Sequence, residues 1–273
     1  MNTDSENRDQ LTTRVQRPSV TKPHDPLSSS VIPGSTPVSG FISGEVIQKR
    51  IPSSTLSTLC SVAILFAALF AGCQHGPPKE RGQFKESDLV EVVKLDSTIH
   101  LDIRYATTNN FLHRPVYAQA RAFLQRPAAE ALVRAQKALK SQGYGVLLFD
   151  GYRPWSVTKI FWDSATDAER KIEFVANPRK GSRHNRGCAV DLSLIDLKTG
   201  LAVAMPSEYD EFTERAFPTY AGGAFEARAL RDLLRKAMEA EGFTVYSAEW
   251  WHFDYKDWKQ YHILNLPFEA LGR

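Results

Sequence analysis

Residues 182–191 read SRHNRGCAVD and set His184 and Asp191 seven residues apart, with Gly187 and Ala189 between them. Both side chains are zinc-ligand types, and seven residues are enough for a loop to place the first while the strand that follows, CAVDLSL, presents the second. A third ligand of the right kind lies at His252, in EWWH at 249–252. Three protein ligands leave one tetrahedral position for water, which is the arrangement of catalytic rather than structural zinc. A carboxylate nearby can take the proton of such a water and pass it to a leaving amine, and Glu249 is placed for that role. In an unbroken strand, however, residues three apart point to opposite faces, so Glu249 and His252 share a site only across a bend or bulge.

Outward from this stretch, the elements predict an α+β fold with an antiparallel sheet flanked by helices. LVEVVKLDSTIHLDIRYATT alternates apolar and polar residues at Val90, Val92, Ile99, Leu101 and Ile103, as half-buried strands do. PAAEALVRAQKALKSQG opens on Pro127, carries Leu132, Ala135 and Leu139 on one face and closes on Gly143, which predicts a helix. YGVLLFDGYRP reads as a short buried strand running into a turn, FEARALRDLLRKAMEAE as a second helix stopped by Gly242, and FTVYSAEWWHFDY as strand again. No internal repeat is present.

At 273 residues and 42% hydrophobic content the chain can bury one good core. Lys plus Arg number 34 against 31 Asp plus Glu, too even a balance to predict a nucleic-acid partner. The cysteines, Cys60, Cys73 and Cys188, form no CxxC pair, and Cys188 among small residues reads as a packed side chain. Residues 1–55 are rich in Ser, Thr, Pro and charge and are expected to be disordered. Lys49 and Arg50 then precede an apolar run from Leu59 to Gly72, which suits the h-region of a signal segment over 56–73 more readily than a full bilayer span. Its end, LFAGC, resembles the lipobox of bacterial lipoproteins, which implies lipidation at Cys73; the alternative is an uncleaved anchor. On either reading residues 74–87 are a tether, the domain spans 88–273, and it lies outside the cytoplasmic membrane, in the periplasm or cell envelope.

SRHNRGCAVD matches the S-x-H-x-x-G-x-A-x-D signature, and EWWH the E-x-W-H signature, of zinc D-alanyl-D-alanine peptidases. Within them the chain resembles the D-alanyl-D-alanine dipeptidases, the group that includes the enzymes of vancomycin resistance, through LDIRYATTNNF, FDGYRP and the two zinc motifs, over about residues 88 to 265. The resemblance implies the zinc D-Ala-D-Ala peptidase (hedgehog-like) fold, one Zn2+ per chain held by His184, Asp191 and His252, and Glu249 as general base. It also implies an oxyanion-stabilising role for Arg153; amide hydrolysis independently asks for such a cation, and the alternative is a salt bridge structuring the turn. MPSEYDEF resembles the segment whose aspartate holds the dipeptide ammonium, which points to Asp210, flanked by Glu208 and Glu211. Ser182 either binds substrate or orients His184. The implied activity is hydrolysis of D-Ala-D-Ala or a related short D-containing peptide. A carboxypeptidase or endopeptidase trimming peptidoglycan stems would use the same constellation, and a zinc-binding module without turnover would have no need of Glu249.

Overall fold

The computed structural model describes residues 76–171 and 174–271. The expected disordered extension, the signal segment and Cys60 and Cys73 lie outside the described residues. No helix among the described residues is long and apolar enough to cross a membrane.

The central sheet is built from β2 (His100–Leu101), β4 (Tyr144–Asp150), β5 (Ala189–Asp196), β8 (Glu249–Tyr255) and β7 (Phe243–Tyr246) in that spatial order, with β6 (Leu201–Ala202) paired to the far end of β5. The strands run antiparallel as expected except for one pair, β2 beside β4, which is parallel. A separate two-stranded ribbon joins β1 (Leu89–Glu91) to β3 (Phe123–Gln125). The α+β class therefore holds. The continuous alternation expected over 88–103 does not: Val92–Leu95 form a single helical turn, α1, between β1 and β2. Val92 is buried from that turn, so its apolar character reports packing and not a strand face.

Two long helices pack against each other and against the sheet. The first, α2 (Arg126–Lys140), begins with Pro127 in its first turn, where a missing N–H costs nothing, and buries Ala128, Ala131, Leu132, Ala135 and Leu139. Leu132 and Leu139 are fully buried, each contributing roughly 1.5–3 kcal/mol of transfer free energy. Shorter helices α3 (Trp155–Ser164) and α4 (Asp167–Lys171) follow the DGYRP turn, and α5 (Phe225–Ala240) precedes β7, burying Ala227, Leu234 and Met238. On β5, Val190, Leu192 and Leu194 face the core while the pleat turns Asp191 to the other side.

Two irregularities in the sheet position the site. In β4 the register against β5 shifts between Leu148 and Asp150, so Asp150 and not Phe149 sits opposite Asp191. In β8 the register against β7 jumps: Val245 pairs with Phe253 but Tyr246 pairs with Glu249, leaving Trp250, Trp251 and His252 interposed. This is the bulge that Glu249 and His252 require.

Candidate active site

Asp150, Asp191 and His252 form a row across three adjacent strands, because Asp191 is paired with Asp150 on one side and His252 on the other. His184 arrives from a single 3-10 turn, His184–Arg186, just ahead of β5. That turn is laced to the DGYRP turn: Arg153 N donates to His184 O at 3.1 Å, and Asn185 Nδ2 donates to Arg153 O at 2.8 Å. Gly151 lets the DGYRP turn lie against β3, since a Cβ there would stand 2.8 Å from the Phe123 carbonyl oxygen.

The ring nitrogens of the two histidines are assigned by their outer contacts. His184 Nδ1 lies 2.7 Å from Gly151 O, which can only accept, so Nδ1 carries the proton and Nε2 is left with a lone pair. His252 Nε2 lies 3.0 Å from Asp254 Oδ1, leaving Nδ1 bare in the same way. The two bare nitrogens are 3.1 Å apart, and Asp191 Oδ1 is 3.3 Å from one and 3.0 Å from the other. Asp191 Oδ1 is buried, yet neither contact has hydrogen-bond geometry. Three buried lone-pair donors converging on one point call for a cation between them. Their spacing suits tetrahedral zinc, whose bonds of about 2.0–2.1 Å set ligand atoms about 3.3 Å apart.

Electrostatics agree with this. Burial pushes the Asp191 carboxyl up, but His184 and His252 outweigh it and hold the group well below the usual carboxylate range. Burial by itself would lower His252, but Asp254 and Asp191 raise it well above an ordinary histidine, so the surroundings favour positive charge at this point. Glu249 stands with Oε2 3.7 Å from His252 Nδ1. Burial is the main reason its pKa is pushed up to about 8, with Asp191 and Asp210 adding and His252 and Arg153 opposing.

These groups face a cleft of about 430 Å³ whose lining includes Tyr105, Arg153, Phe161, Asp210, Glu249 and His252. Over residues 85–268 the sequence matches the D-ala-D-ala dipeptidase family of M15 peptidases. The chain belongs to this family. The D-alanyl-D-alanine dipeptidase of Enterococcus faecium is 35% identical over 182 residues, covering 60% of this chain and 90% of that protein. The D-alanyl-D-alanine dipeptidase of Escherichia coli strain K12 is 29% identical, covering 67% and 93%. Among solved structures, the LdcB LD-carboxypeptidase is similar at 23% identity and a TM-score of 0.39, covering 66% of this chain and 74% of that one. VanYB in complex with D-alanine-D-alanine is similar at 18% identity and a TM-score of 0.34, covering 55% and 90%.

In this M15 zinc peptidase the remaining residues singled out by sequence also reach the cleft. Arg153 is buried, with Nη2 2.7 Å from Asp150 Oδ2 and 3.6 Å from Asp191 Oδ2, and its guanidinium stacks on Phe161 and Tyr105. The turn salt bridge weighed against a catalytic role is thus present, and it holds the guanidinium at the cleft wall. Asp210 adopts φ 61, a left-handed conformation that Asp tolerates better than most residues. Its Oδ1 accepts from Tyr105 Oη at 3.1 Å, while Oδ2 is buried without a hydrogen-bond partner among the described residues. Burial first, then Asp191, pushes its pKa up to about 7. Ser182 Oγ accepts from His184 N at 3.2 Å, which orients the ligand turn.

Sequence reading did not find Asp150, Asp254 or Tyr209. Asp150 Oδ1 accepts from Tyr117 Oη at 2.8 Å and its Oδ2 from Arg153 Nε at 2.9 Å; Asp254 fixes His252; Tyr209 Oη donates to Asp191 Oδ2 at 3.0 Å. The one available signal was spacing: Asp254 is two residues beyond His252, on the same strand face.

Proposed function

We propose that this cleft hydrolyses D-alanyl-D-alanine or a closely related D-containing dipeptide, with His184, Asp191 and His252 holding the zinc ion. The observation that carries this reading is the buried, unpartnered Oδ2 of Asp210 in the same cleft as the three ligands and Glu249. An orphaned buried carboxylate oxygen is costly unless a donor meets it, and the free ammonium of a dipeptide supplies both donor and charge. An acylated stem peptide has no such ammonium. The names of the Enterococcus faecium and Escherichia coli relatives support the same substrate.

Zinc supplies a Lewis acid for the scissile carbonyl and lowers the pKa of water. The chain's own groups do the rest. Asp210 and Tyr105 fix the amino end of the substrate. Glu249 removes the proton from the attacking water and returns it to the departing amine. Arg153, held by Asp150, places a cation where negative charge develops on the carbonyl oxygen. Ser182 keeps the His184 turn in place.

The domain acts outside the cytoplasmic membrane, anchored through Cys73; the apolar run Leu59 to Gly72 and the LFAGC end support this.

The test is product analysis of the purified zinc-loaded protein given free D-Ala-D-Ala beside a muropeptide stem. Release of D-alanine from the free dipeptide, with the stem intact, is expected. Glu249→Gln, which keeps shape and removes the proton acceptor, is expected to lower kcat by at least about 100-fold with zinc still bound. Cleavage of the stem in preference to the dipeptide would transfer the assignment to carboxypeptidase or endopeptidase.

A further inference from the structure

The segment 76–87, read from sequence as a tether, contains no helix or strand and lies along the domain. Glu80 is its main point of attachment, and it stands five residues ahead of the family match, which begins at residue 85. Its Oε1 is 2.5 Å from Arg186 Nη2, and its Oε2 accepts from Ile263 N at 2.7 Å and lies 3.6 Å from His262 Nδ1. Lys85 N donates to Gln260 O at 2.8 Å, and the Phe84 ring lies 3.8 Å from the His262 ring.

Arg186 is the last residue of the turn that carries His184. Its guanidinium is about nine-tenths buried, lines the cleft, packs near Trp258 and donates to Tyr261 O. Among the described residues its ion-pair partner is Glu80. Arg186 follows His184 by two residues in the same turn and lines the same cleft, so an uncompensated guanidinium there would draw the turn toward solvent and add positive charge beside the cation site. Glu80 relieves both. The main chain of the same residue is held separately, by Gln125 Nε2 donating to Arg186 O at 3.0 Å, and Gln125 is bound in turn to Ser87 and Asp88.

We propose that Glu80 is a positioning residue for the metal centre, acting through Arg186, so that a segment outside the family domain tunes zinc affinity. The inference rests on the assignment of His184 as a ligand but not on the identity of the substrate. Groups hydrogen-bonded directly to metal ligands are generally worth about 10- to 100-fold in metal affinity, and Glu80, one residue farther out, is expected at the lower end of that range.

The experiment compares the full chain with Glu80→Gln and Phe84→Ala, measuring zinc dissociation constants by competition with a chromogenic chelator and thermal stability in parallel. Glu80→Gln keeps an acceptor for Ile263 N but turns its amide NH2 toward Arg186, so both the charge and the acceptor at the guanidinium are lost, and a loss of about 10-fold in zinc affinity is expected. Phe84→Ala loosens the segment without touching Arg186 and is expected to retain parental zinc affinity even if it melts earlier. Should Glu80→Gln fail to fold, Glu80→Asp, with the charge one methylene farther from Arg186, is read the same way. Parental zinc affinity in the Glu80 variant, or equal loss in both variants, overturns the proposal. Failure to cleave dipeptide by the parental protein would count against the proposed activity and leave the zinc comparison intact.

Discussion

Asp210 holds its carboxylate in the cleft at the expense of an awkward backbone, and this dictates how its role is best tested. At φ 61 an alanine would add strain to the loss of charge, whereas asparagine tolerates the same conformation and keeps the shape. A carboxyl raised to about 7 binds its proton more tightly in the folded chain than in the unfolded one, where the value is near 3.9. Its contribution is thus most favourable below about pH 4 and declines as pH rises toward 7. Metal-stripped parental protein is expected to lose stability across that window, and Asp210→Asn to lose less, by several degrees in Tm at pH 8 relative to pH 5. Parallel melting curves for the two proteins over this range would show that the carboxylate is solvated. That His184, Asp191, His252, Glu249 and Arg153 would be candidates for one site was legible in the sequence because each sits in a short motif, and the fold brings them to one cleft. Asp150 and Tyr209 were not, because what makes them matter is a cross-strand register and a contact over 18 residues of chain.

At the scale of elements, the long helices were legible from period and punctuation alone, since Pro127 and the buried Ala and Leu positions state both ends and the inner face of α2. The region around α1 was misread because a single helical turn between two very short strands imitates alternation over a window too brief to separate the periods. The bulge in β8 was legible as a necessity, and its length of three interposed residues was not. The turn before β5 offers a sharper test. Gly187 ends it at φ 67, and a Cβ there would meet Leu89 Cδ2 at 2.4 Å and the Gln125 backbone N at 3.2 Å. Leu89 can swing aside, but the backbone of β3 cannot. Gly187→Ala is expected to destabilise the protein by roughly 2 kcal/mol, seen as a fall in Tm of a few degrees, and to weaken zinc binding, because the turn aims His184. An unchanged melting temperature would mean that the turn relaxes freely.

For the whole molecule, the proposed anchoring makes a prediction independent of catalysis. Parental protein expressed in a bacterial host is expected to fractionate with membranes and to lack residues upstream of Cys73, while Cys73→Ser remains unprocessed; recovery of a soluble chain retaining residues 1–72 would refute the lipidation. The pairing of Asp191 with His252 joins positions 61 residues apart across β5 and β8. In order of synthesis the chain emits Arg153, then His184 and Asp191, then Asp210, and only at the last strand Glu249 and His252. On the proposed assignment, a product terminated between Asp210 and β8 would carry the substrate anchor and two of the three ligands but neither the base nor the closing imidazole. On that assignment, peptidase activity is withheld from a nascent chain until β8 has been made.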